Sequence, residues 1–194
     1  MAWDAKNILI VFALESEARG LFSHFPVCYT GVGKINATYG LMRALNDWRR
    51  KMGANPELIL NLGSAGSPVF KAGSIINCTS FIERDMDVTP LGFAPFQAPF
   101  DETPSPLVYG NRYADYPEAV CGTGDHFVDD AGTHPWQVMD MEAFALAKFC
   151  HRENIPFGCL KFISDGADGQ AAEVWEQALD QGAKLLRQAF DNLN

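Results

Sequence analysis

Short runs of mainly apolar residues recur along the chain and predict strands that are buried on both faces. Such runs, rich in branched side chains, are typical of a parallel sheet that is covered on each side. They occupy residues 7–13, 58–62, 74–82, 119–122 and 157–164. The small residues at 63–66 directly after the second run predict that this strand ends at Leu62.

Longer stretches between these runs carry apolar and aromatic residues at helical spacing. Residues 34–52 repeat such side chains every three or four positions, and Gly53 ends the pattern. The repeated positions are Ile35, Tyr39, Met42, Leu45 and Trp48. Helices are also predicted over residues 14–22, 141–152 and 171–193. Strands that alternate with helices predict an α/β fold with a mainly parallel sheet.

One long connection interrupts this alternation. Residues 85–110 are rich in Pro and Phe and show no clear period, and connections of this length are usually functional, interfacial or disordered. A domain boundary would be sought within residues 90–106, but no linker or repeat marks one. We therefore expect one domain over residues 1–194.

Composition and charge restrict the partners and the compartment. The hydrophobic fraction of 47% is that of an ordinary globular protein, and a net charge of −9 argues against nucleic acid as a partner, because that affinity depends on clustered Lys and Arg. No segment has the apolar length that spans a bilayer, and residues 1–6 lack the features of a signal peptide. Five scattered cysteines, none spaced as Cys-x-x-Cys, indicate neither disulfides nor zinc. We expect a cytoplasmic protein without a membrane partner.

Polar residues and glycines directly follow several predicted strands. Because open α/β sheets bind ligands beyond the carboxyl ends of their strands, Glu15, Glu17, the segment 63–66 and Asp165 are candidates for a site. Each also has a simpler interpretation. The glutamates can be favourable charges in the first turn of a helix, and the other two can be turns. Glu142 opens a largely apolar helix, where it either caps the helix or faces a ligand.

Other common signatures of chemistry are missing from the sequence. Residues 30–34 lack the third glycine of the dinucleotide fingerprint and the spacing of a P-loop. The four histidines form no metal-like pair, and no serine has the surroundings of a nucleophile elbow. The sequence therefore indicates no metal and no cofactor.

Seven segments, taken in order and spread over most of the chain, resemble the nucleosidase branch of the purine nucleoside phosphorylase family, the methylthioadenosine/S-adenosylhomocysteine nucleosidases. The segments are 13–17 (ALESE), 31–34 (GVGK), 61–66 (NLGSAG), 84–89 (RDMDVT), 123–127 (TGDHF), 141–143 (MEA) and 163–168 (ISDGAD). The Phe- and Pro-rich loop and the closing helix carry no such motif.

The resemblance implies a role for individual residues. Glu17 is the base that orients or deprotonates water, and Asp165 is the acid that protonates the purine at N7, a pairing that suits an oxocarbenium-like transition state. Glu142 accepts the ribose hydroxyls. Ser64 supports the water or Asp165, and Ala65 and Gly66 allow close approach of a ligand. Phe127 stacks on the base, and the Val128 backbone binds the adenine edge. Met141 packs beneath the ribose.

The resemblance also implies an architecture and a reaction. The expected fold is a three-layer α/β/α sandwich with a twisted, partly barrel-like mixed sheet that is mainly parallel. Family members typically form homodimers in which a partner loop closes the alkylthio end of the site; residues 93–100 can supply that loop or pack on their own domain. The expected reaction is hydrolysis of the N-glycosidic bond of an adenine nucleoside, of the methylthioadenosine, S-adenosylhomocysteine or 5′-deoxyadenosine type, releasing adenine and a ribose derivative.

Three other functions stay open at this point. A phosphorylase, or a hydrolase of futalosine or of a hopanoid-linked adenosyl compound, would share the fold. Phosphorolysis needs anion donors, for which Arg19 and Arg84 are candidates, whereas the carboxylates after the first strand favour water. A non-catalytic nucleoside sensor is the third alternative, and the presence together of Glu17, Glu142 and Asp165 argues against it.

Overall fold

One mixed sheet forms the centre of the molecule. The computed structural model describes residues 3–126, 134–166 and 171–193, with residues 171–177 described for their backbone alone. Within these ranges the sheet has eight strands. They are β1 (Ile8–Phe12), β2 (Val27–Tyr29), β3 (Leu58–Gly66), β4 (Ile75–Glu83), β5 (Leu107–Val108), β6 (Glu118–Thr123), β7 (Val138–Asp140) and β8 (Phe157–Asp165).

Helices cover both faces of this sheet. The α-helices of the described ranges are α1 (Glu15–Ala18), α2 (Lys34–Met52), α3 (Ala143–Glu153) and α4 (Ala171–Asp191), and short 3₁₀ turns lie at Ala5–Asn7 and Thr89–Leu91. One apolar core joins the sheet to α2 and α3 through side chains such as Leu45 and Leu146. A second core on the opposite face joins it to α1 and α4 through Ala18 and Phe190. The predicted three-layer α/β/α sandwich is confirmed.

The sheet is mainly parallel and partly closed. Its order is β2-β1-β3-β7-β6-β4-β5, and β8 pairs with both β3 and β4. The strands β3, β7, β6, β4 and β8 therefore form a closed ring. Within that ring β3–β8, β4–β6 and β6–β7 are parallel, whereas β3–β7 and β4–β8 are antiparallel. The ring gives the sheet the partly barrel-like form that was expected.

Burial explains why unbroken apolar runs became strands and why a periodic stretch became α2. Every residue of β1 and β8 is buried, so neither strand has a solvent face that would need polar alternation. The bounds of α2 match the predicted 34–52; Leu45 points into the core, and Gly53 ends the helix with a φ of 70°. In the described part of the chain, no helix has the length and hydropathy required to cross a membrane.

Two predicted boundaries were wrong. The helix expected over residues 14–22 stops at Ala18, because Arg19 and Gly20 adopt left-handed backbone conformations with φ of 46° and 71°. The strand expected to end at Leu62 continues to Gly66, since β8 runs beside it and supplies backbone partners as far as Asp165. The small residues at 63–66 are therefore part of a strand and not a turn.

Three short strands were not predicted at all. They are β2, β5 and β7, with two or three residues each. Such lengths are too short to show a periodicity. The strand β5 and the turn Thr89–Leu91 both lie inside the long connection at residues 85–110, whose sequence shows no clear period.

Candidate active site

A cavity of about 230 Å³ opens where the strands end at their carboxyl side. This is the edge at which sheets of this type bind ligands. Seven of the expected site residues line it: Glu17, Ser64, Ala65, Gly66, Met141, Glu142 and Asp165. The two others, Phe127 and Val128, lie outside the described residues, so their roles stay predictions.

Glu17 is fixed in the wall of the cavity by three hydrogen bonds. Its Oε1 accepts from the backbone N–H and the hydroxyl of Ser64, at 2.9 and 2.7 Å, and its Oε2 accepts from the backbone N–H of Leu14 at 3.1 Å. A Cβ atom at position 63 would lie 3.2 Å from Oε1, so Gly63 leaves room for this carboxylate. Glu17 is buried whereas Glu15, two residues earlier, is exposed. The helix α1 therefore presents one glutamate to the cavity and the other to solvent.

Glu142 sits at the N-terminus of α3 but does not cap it. Its Oε1 instead accepts the backbone N–H of Gly33 at 2.9 Å, from the loop that precedes α2. Burial, followed by the negative charge of Asp140, raises the pKa of Glu142 to about 7, although the Lys161 ammonium and the Gly33 N–H act in the opposite direction. The carboxyl group can thus both accept and donate hydrogen bonds near neutral pH.

Asp165 is the last residue of β8 and is buried at the cavity. The hydroxyl of Ser164 donates to its Oδ2 at 2.6 Å, and its backbone oxygen accepts the N–H of Ser67 at 3.1 Å. The pairing of β3 with β8 shifts register between Ala65 and Gly66, where Gly66 comes to pair with Asp165. Two strands therefore fix the backbone of Asp165 at the cavity.

Residues 64–66 and Met141 complete the walls. Ser64 and Gly66 are partly exposed at the end of β3, and Ala65 between them is buried. Their small side chains let a ligand approach the β3 backbone closely. Met141 is partly buried between Asp140 and Glu142, at the passage from β7 to α3.

A buried ion pair near this cavity was not predicted from the sequence. Lys161 of β8 and Asp140 of β7 bring their Nζ and Oδ2 atoms to 2.8 Å, and both side chains are almost fully buried. Asp140 also lines the cavity. The available signal was a charged residue inside an apolar run, because a buried charge needs a partner.

A charged cluster lies at the start of α2, next in sequence to the cavity residue Arg84. The Nζ atom of Lys34 lies 2.8 Å from Oε1 of Glu83 and 2.6 Å from Oδ1 of Asp85. The backbone N–H of Lys34 donates to Asp125 at 2.8 Å, and the backbone N–H of Asp125 donates to Asp85 at 2.9 Å. These contacts join the ends of β4 and β6 to the loop that carries Gly33.

The two candidate anion donors are engaged elsewhere. Arg84 lines the cavity, but its guanidinium donates to the backbone oxygens of Gly124 and His126 and lies 2.8 Å from the His126 ring. Arg19 forms an ion pair with Asp180 at 2.7 Å and does not line the cavity. In the described ranges, no group of three or more His, Cys, Asp or Glu side chains is arranged to hold a metal ion.

Comparisons with known proteins agree with this geometry. The family model described as the phosphorylase superfamily matches residues 24–193. The chain is 31% identical over 179 residues to the 5′-methylthioadenosine/S-adenosylhomocysteine nucleosidase of Geobacillus kaustophilus, covering 80% of this chain and 72% of that relative.

Solved structures show the same fold at lower identity. The nucleosidase of Neisseria meningitidis in complex with methylthio-immucillin-A superposes with a TM-score of 0.80 at 22% identity, covering 97% of this chain and 98% of the other. A futalosine hydrolase mutant of Helicobacter pylori superposes with a TM-score of 0.78 at 17% identity, covering 96% and 97%.

Proposed function

The chain belongs to the phosphorylase superfamily, and on that basis we propose that it hydrolyses the N-glycosidic bond of an adenine nucleoside. The substrate class is that of methylthioadenosine, S-adenosylhomocysteine and 5′-deoxyadenosine, and the products are adenine and a ribose derivative. The observation that carries this function is the convergence of Glu17, Glu142 and Asp165 on one cavity. The Geobacillus relative, a nucleosidase by name, supports the same reaction.

Glu17 and Asp165 act as the base and the acid of the reaction. Water attacks C1′ of the ribose while the bond from C1′ to N9 of adenine breaks. Glu17, held in place by Ser64, takes a proton from the water, and Asp165 gives a proton to N7 of the departing adenine. Assistance of this kind contributes about 10²- to 10⁴-fold for each group.

Glu142 binds the ribose hydroxyls. Its carboxyl group faces the cavity with one oxygen already held by the Gly33 N–H, which leaves the other oxygen for a sugar hydroxyl. Met141 packs beneath the ribose, and Ala65 and Gly66 contact the nucleoside. Each of these contacts is uncharged or hydrogen-bonding, which suits a neutral nucleoside.

Hydrolysis is favoured over phosphorolysis by the charge of the cavity. Phosphate binding requires free cationic or N–H donors on the attacking side. Glu17 occupies that side, Arg19 is paired with Asp180, and the Arg84 guanidinium is engaged by backbone oxygens and by His126. A carboxylate next to the attacking group would repel phosphate and accept a proton from water.

Release of free adenine is the test of this function. The three nucleosides named above are incubated with the protein, each with and without phosphate, and adenine is quantified by chromatography. We expect release without phosphate, and near-complete loss of it in Asp165→Asn with the fold unchanged by circular dichroism. Release only with phosphate would identify a phosphorylase; release from futalosine alone would change the substrate; and binding without turnover would identify a sensor.

We also propose that two copies of the chain associate. Exposed apolar side chains form a stripe along the first half of α2 and the loop before it: Val32, Ile35, Tyr39 and Met42 are 40%, 81%, 57% and 39% exposed. Burial of such a stripe against a second copy is favourable. We expect a dimer in sedimentation equilibrium and a monomer for Ile35→Glu, with Val69→Glu, exposed elsewhere, as the matched control; a monomeric parent would contradict the proposal.

The segment at residues 93–100 packs partly on its own domain and is partly exposed to solvent. The ring of Phe96 packs edge-on against Trp136 at 5.3 Å, whereas Phe100 is 97% exposed and contacts only the Phe93 ring among the aromatic side chains described. We propose that Phe100 reaches the partner copy near its cavity. The same sedimentation experiment on Phe100→Ser tests whether this ring contributes to association.

Two further assignments complete the proposal. The chain acts as one nucleoside phosphorylase-like domain over residues 1–194. Its compartment is the cytoplasm, where the five free cysteines, four of them buried, remain reduced.

A further inference from the structure

The buried ion pair of Lys161 and Asp140 is not used by the reaction proposed above. Lys161 is 1% exposed and Asp140 is 7% exposed, and their Nζ and Oδ2 atoms are 2.8 Å apart. Two charges are rarely placed in a core without further hydrogen bonds, because desolvation costs several kcal/mol for each ion. The contacts of this pair therefore indicate what it does.

Those contacts lead to the start of α3. The Oδ2 atom of Asp140 accepts the backbone N–H of Ala143 at 2.8 Å, and its Oδ1 accepts the hydroxyl of Thr123 at 2.5 Å. The same Thr123 oxygen accepts the backbone N–H of Phe144 at 2.9 Å. Asp140 and Thr123 thus satisfy the first two backbone N–H groups of the helix, which otherwise lack partners.

Because of this arrangement, the side chain of Glu142 is not needed to cap α3. Glu142 occupies the N-cap position of α3, where a polar side chain usually bonds to the N–H groups of the first turn. Its side chain makes no such bond and reaches instead across to Gly33. With the helix end already capped by Asp140, the carboxyl group of Glu142 is directed to the cavity.

We propose that Lys161 and Asp140 are positioning residues of the hydrolysis, which hold the start of α3 so that Glu142 meets the ribose hydroxyls. The inference rests on the proposed function and adds to it the device that orients the ribose-binding group. Lys161 contributes by balancing the charge of Asp140: burial alone would raise the pKa of Asp140, but the Lys161 ammonium and the donors from Thr123 and Ala143 lower it below its usual value.

The charges around Glu142 allow the effect of the ion pair on Glu142 to be measured. Asp140 faces it from β7, Lys161 from β8 and Glu17 from α1, while the Gly33 N–H faces it from the loop before α2. Asp140 and Glu17 disfavour its ionised form, whereas Lys161 and Gly33 favour it. Removing either partner of the ion pair therefore changes the ionisation of Glu142, in opposite directions.

The experiment is the pH dependence of kcat/KM for adenine release from methylthioadenosine. In Lys161→Met we expect the limb of the pH profile that is assigned to Glu142 to move to higher pH. In Asp140→Asn we expect the same limb to move to lower pH. Each shift should be about half a pH unit or more, as expected for removal of a nearby charge. Lys161→Arg keeps the charge and should leave the limb close to that of the parent. Equal loss of activity at every pH, with an unmoved limb, would reduce the pair to a structural role and overturn the inference.

A second substrate and an uncharged variant keep the test valid if the charge variants fail to fold. Thr123→Val removes the hydroxyl that joins Asp140 to α3 without removing a charge, and Thr123→Ser is its conservative control. We expect Thr123→Val to lower kcat/KM about tenfold on methylthioadenosine, the effect of one good hydrogen bond to a charged group, and less on the 2′-deoxy counterpart. Equal losses on both probes would overturn the inference. A parent that releases no adenine from either probe would overturn the proposed function, and the inference with it.

Discussion

Replacement of Glu17 by Gln gives the most direct prediction about the chemistry. The substitution keeps the shape of the side chain but removes its ability to take a proton from water. The amide oxygen can still accept from Ser64, whereas the amide nitrogen then faces the N–H of Leu14, so one of the three hydrogen bonds is lost. Loss of a general base lowers kcat by about 10²- to 10⁴-fold.

The same geometry predicts the effect of Glu17→Gln on stability. A buried N–H group left without its acceptor costs about 1–3 kcal/mol, and each kcal/mol lowers Tm by about 2–4 °C in a chain of this size. Glu17→Gln should therefore remain folded at 25 °C, with a Tm several degrees lower. Circular dichroism on heating measures this independently of turnover.

The assay is adenine release from methylthioadenosine in phosphate-free buffer at 25 °C. Glu15→Gln is the matched control, since Glu15 lies on the same short helix but is exposed, and it should leave kcat within about twofold because surface substitutions change little. If Glu17→Gln is folded and retains more than a tenth of the parental kcat, Glu17 is not the base and the assignment of roles in the cavity is wrong.

Three further predictions follow from single contacts. Leu45→Ala, at a fully buried position of α2, should lower the free energy of unfolding in urea by about 2–5 kcal/mol, and a loss below 1 kcal/mol would contradict the packing of α2 on the sheet. Burial and Asp140 raise the pKa of Glu142 from 4.5 to about 7, so the protonated form of Glu142 favours folding. This contribution to stability is complete below pH 4.5 and is lost as the pH rises through 7. The free energy of unfolding of Glu142→Gln, measured in urea relative to the parent, should therefore increase between about pH 5 and 8. Lys34→Met leaves the carboxylate of Asp85 without its cation and should raise KM for methylthioadenosine more than it lowers kcat, and an unchanged KM would show that the charged cluster does not shape the cavity.

The main elements could be predicted because their signals are local. An apolar run such as 157–164 or a periodic stretch such as 34–52 can be buried in few ways, and both matched β8 and α2 closely. The errors lay in short strands and in segments whose conformation depends on a neighbouring strand. The segment 63–66 would form a turn in isolation, but pairing with β8 keeps it in the extended conformation.

Candidate site residues divide in the same way. The order of motifs along the chain pointed to Glu17, Glu142 and Asp165, and the three carboxyl groups line one cavity. Nothing local distinguished Glu17 from Glu15, or revealed that Lys161 would pair with Asp140. Those outcomes depend on which face of α1 packs toward the sheet and on the adjacency of strands that are distant in sequence.

Sequence alone was enough to infer the α/β class, the main strands and helices, an acidic character that argues against nucleic acid as a partner, and the family to which the motifs belong, because hydrophobic pattern, charge and motif order are properties of contiguous residues. The way in which the carboxyl groups are held depends on the tertiary structure. Ser64 lies 47 residues from Glu17, and Gly33 lies 109 residues from Glu142. A hydrogen bond depends on distances of a few tenths of an ångström between such groups, and those distances are set by the closed ring of strands and not by any local pattern.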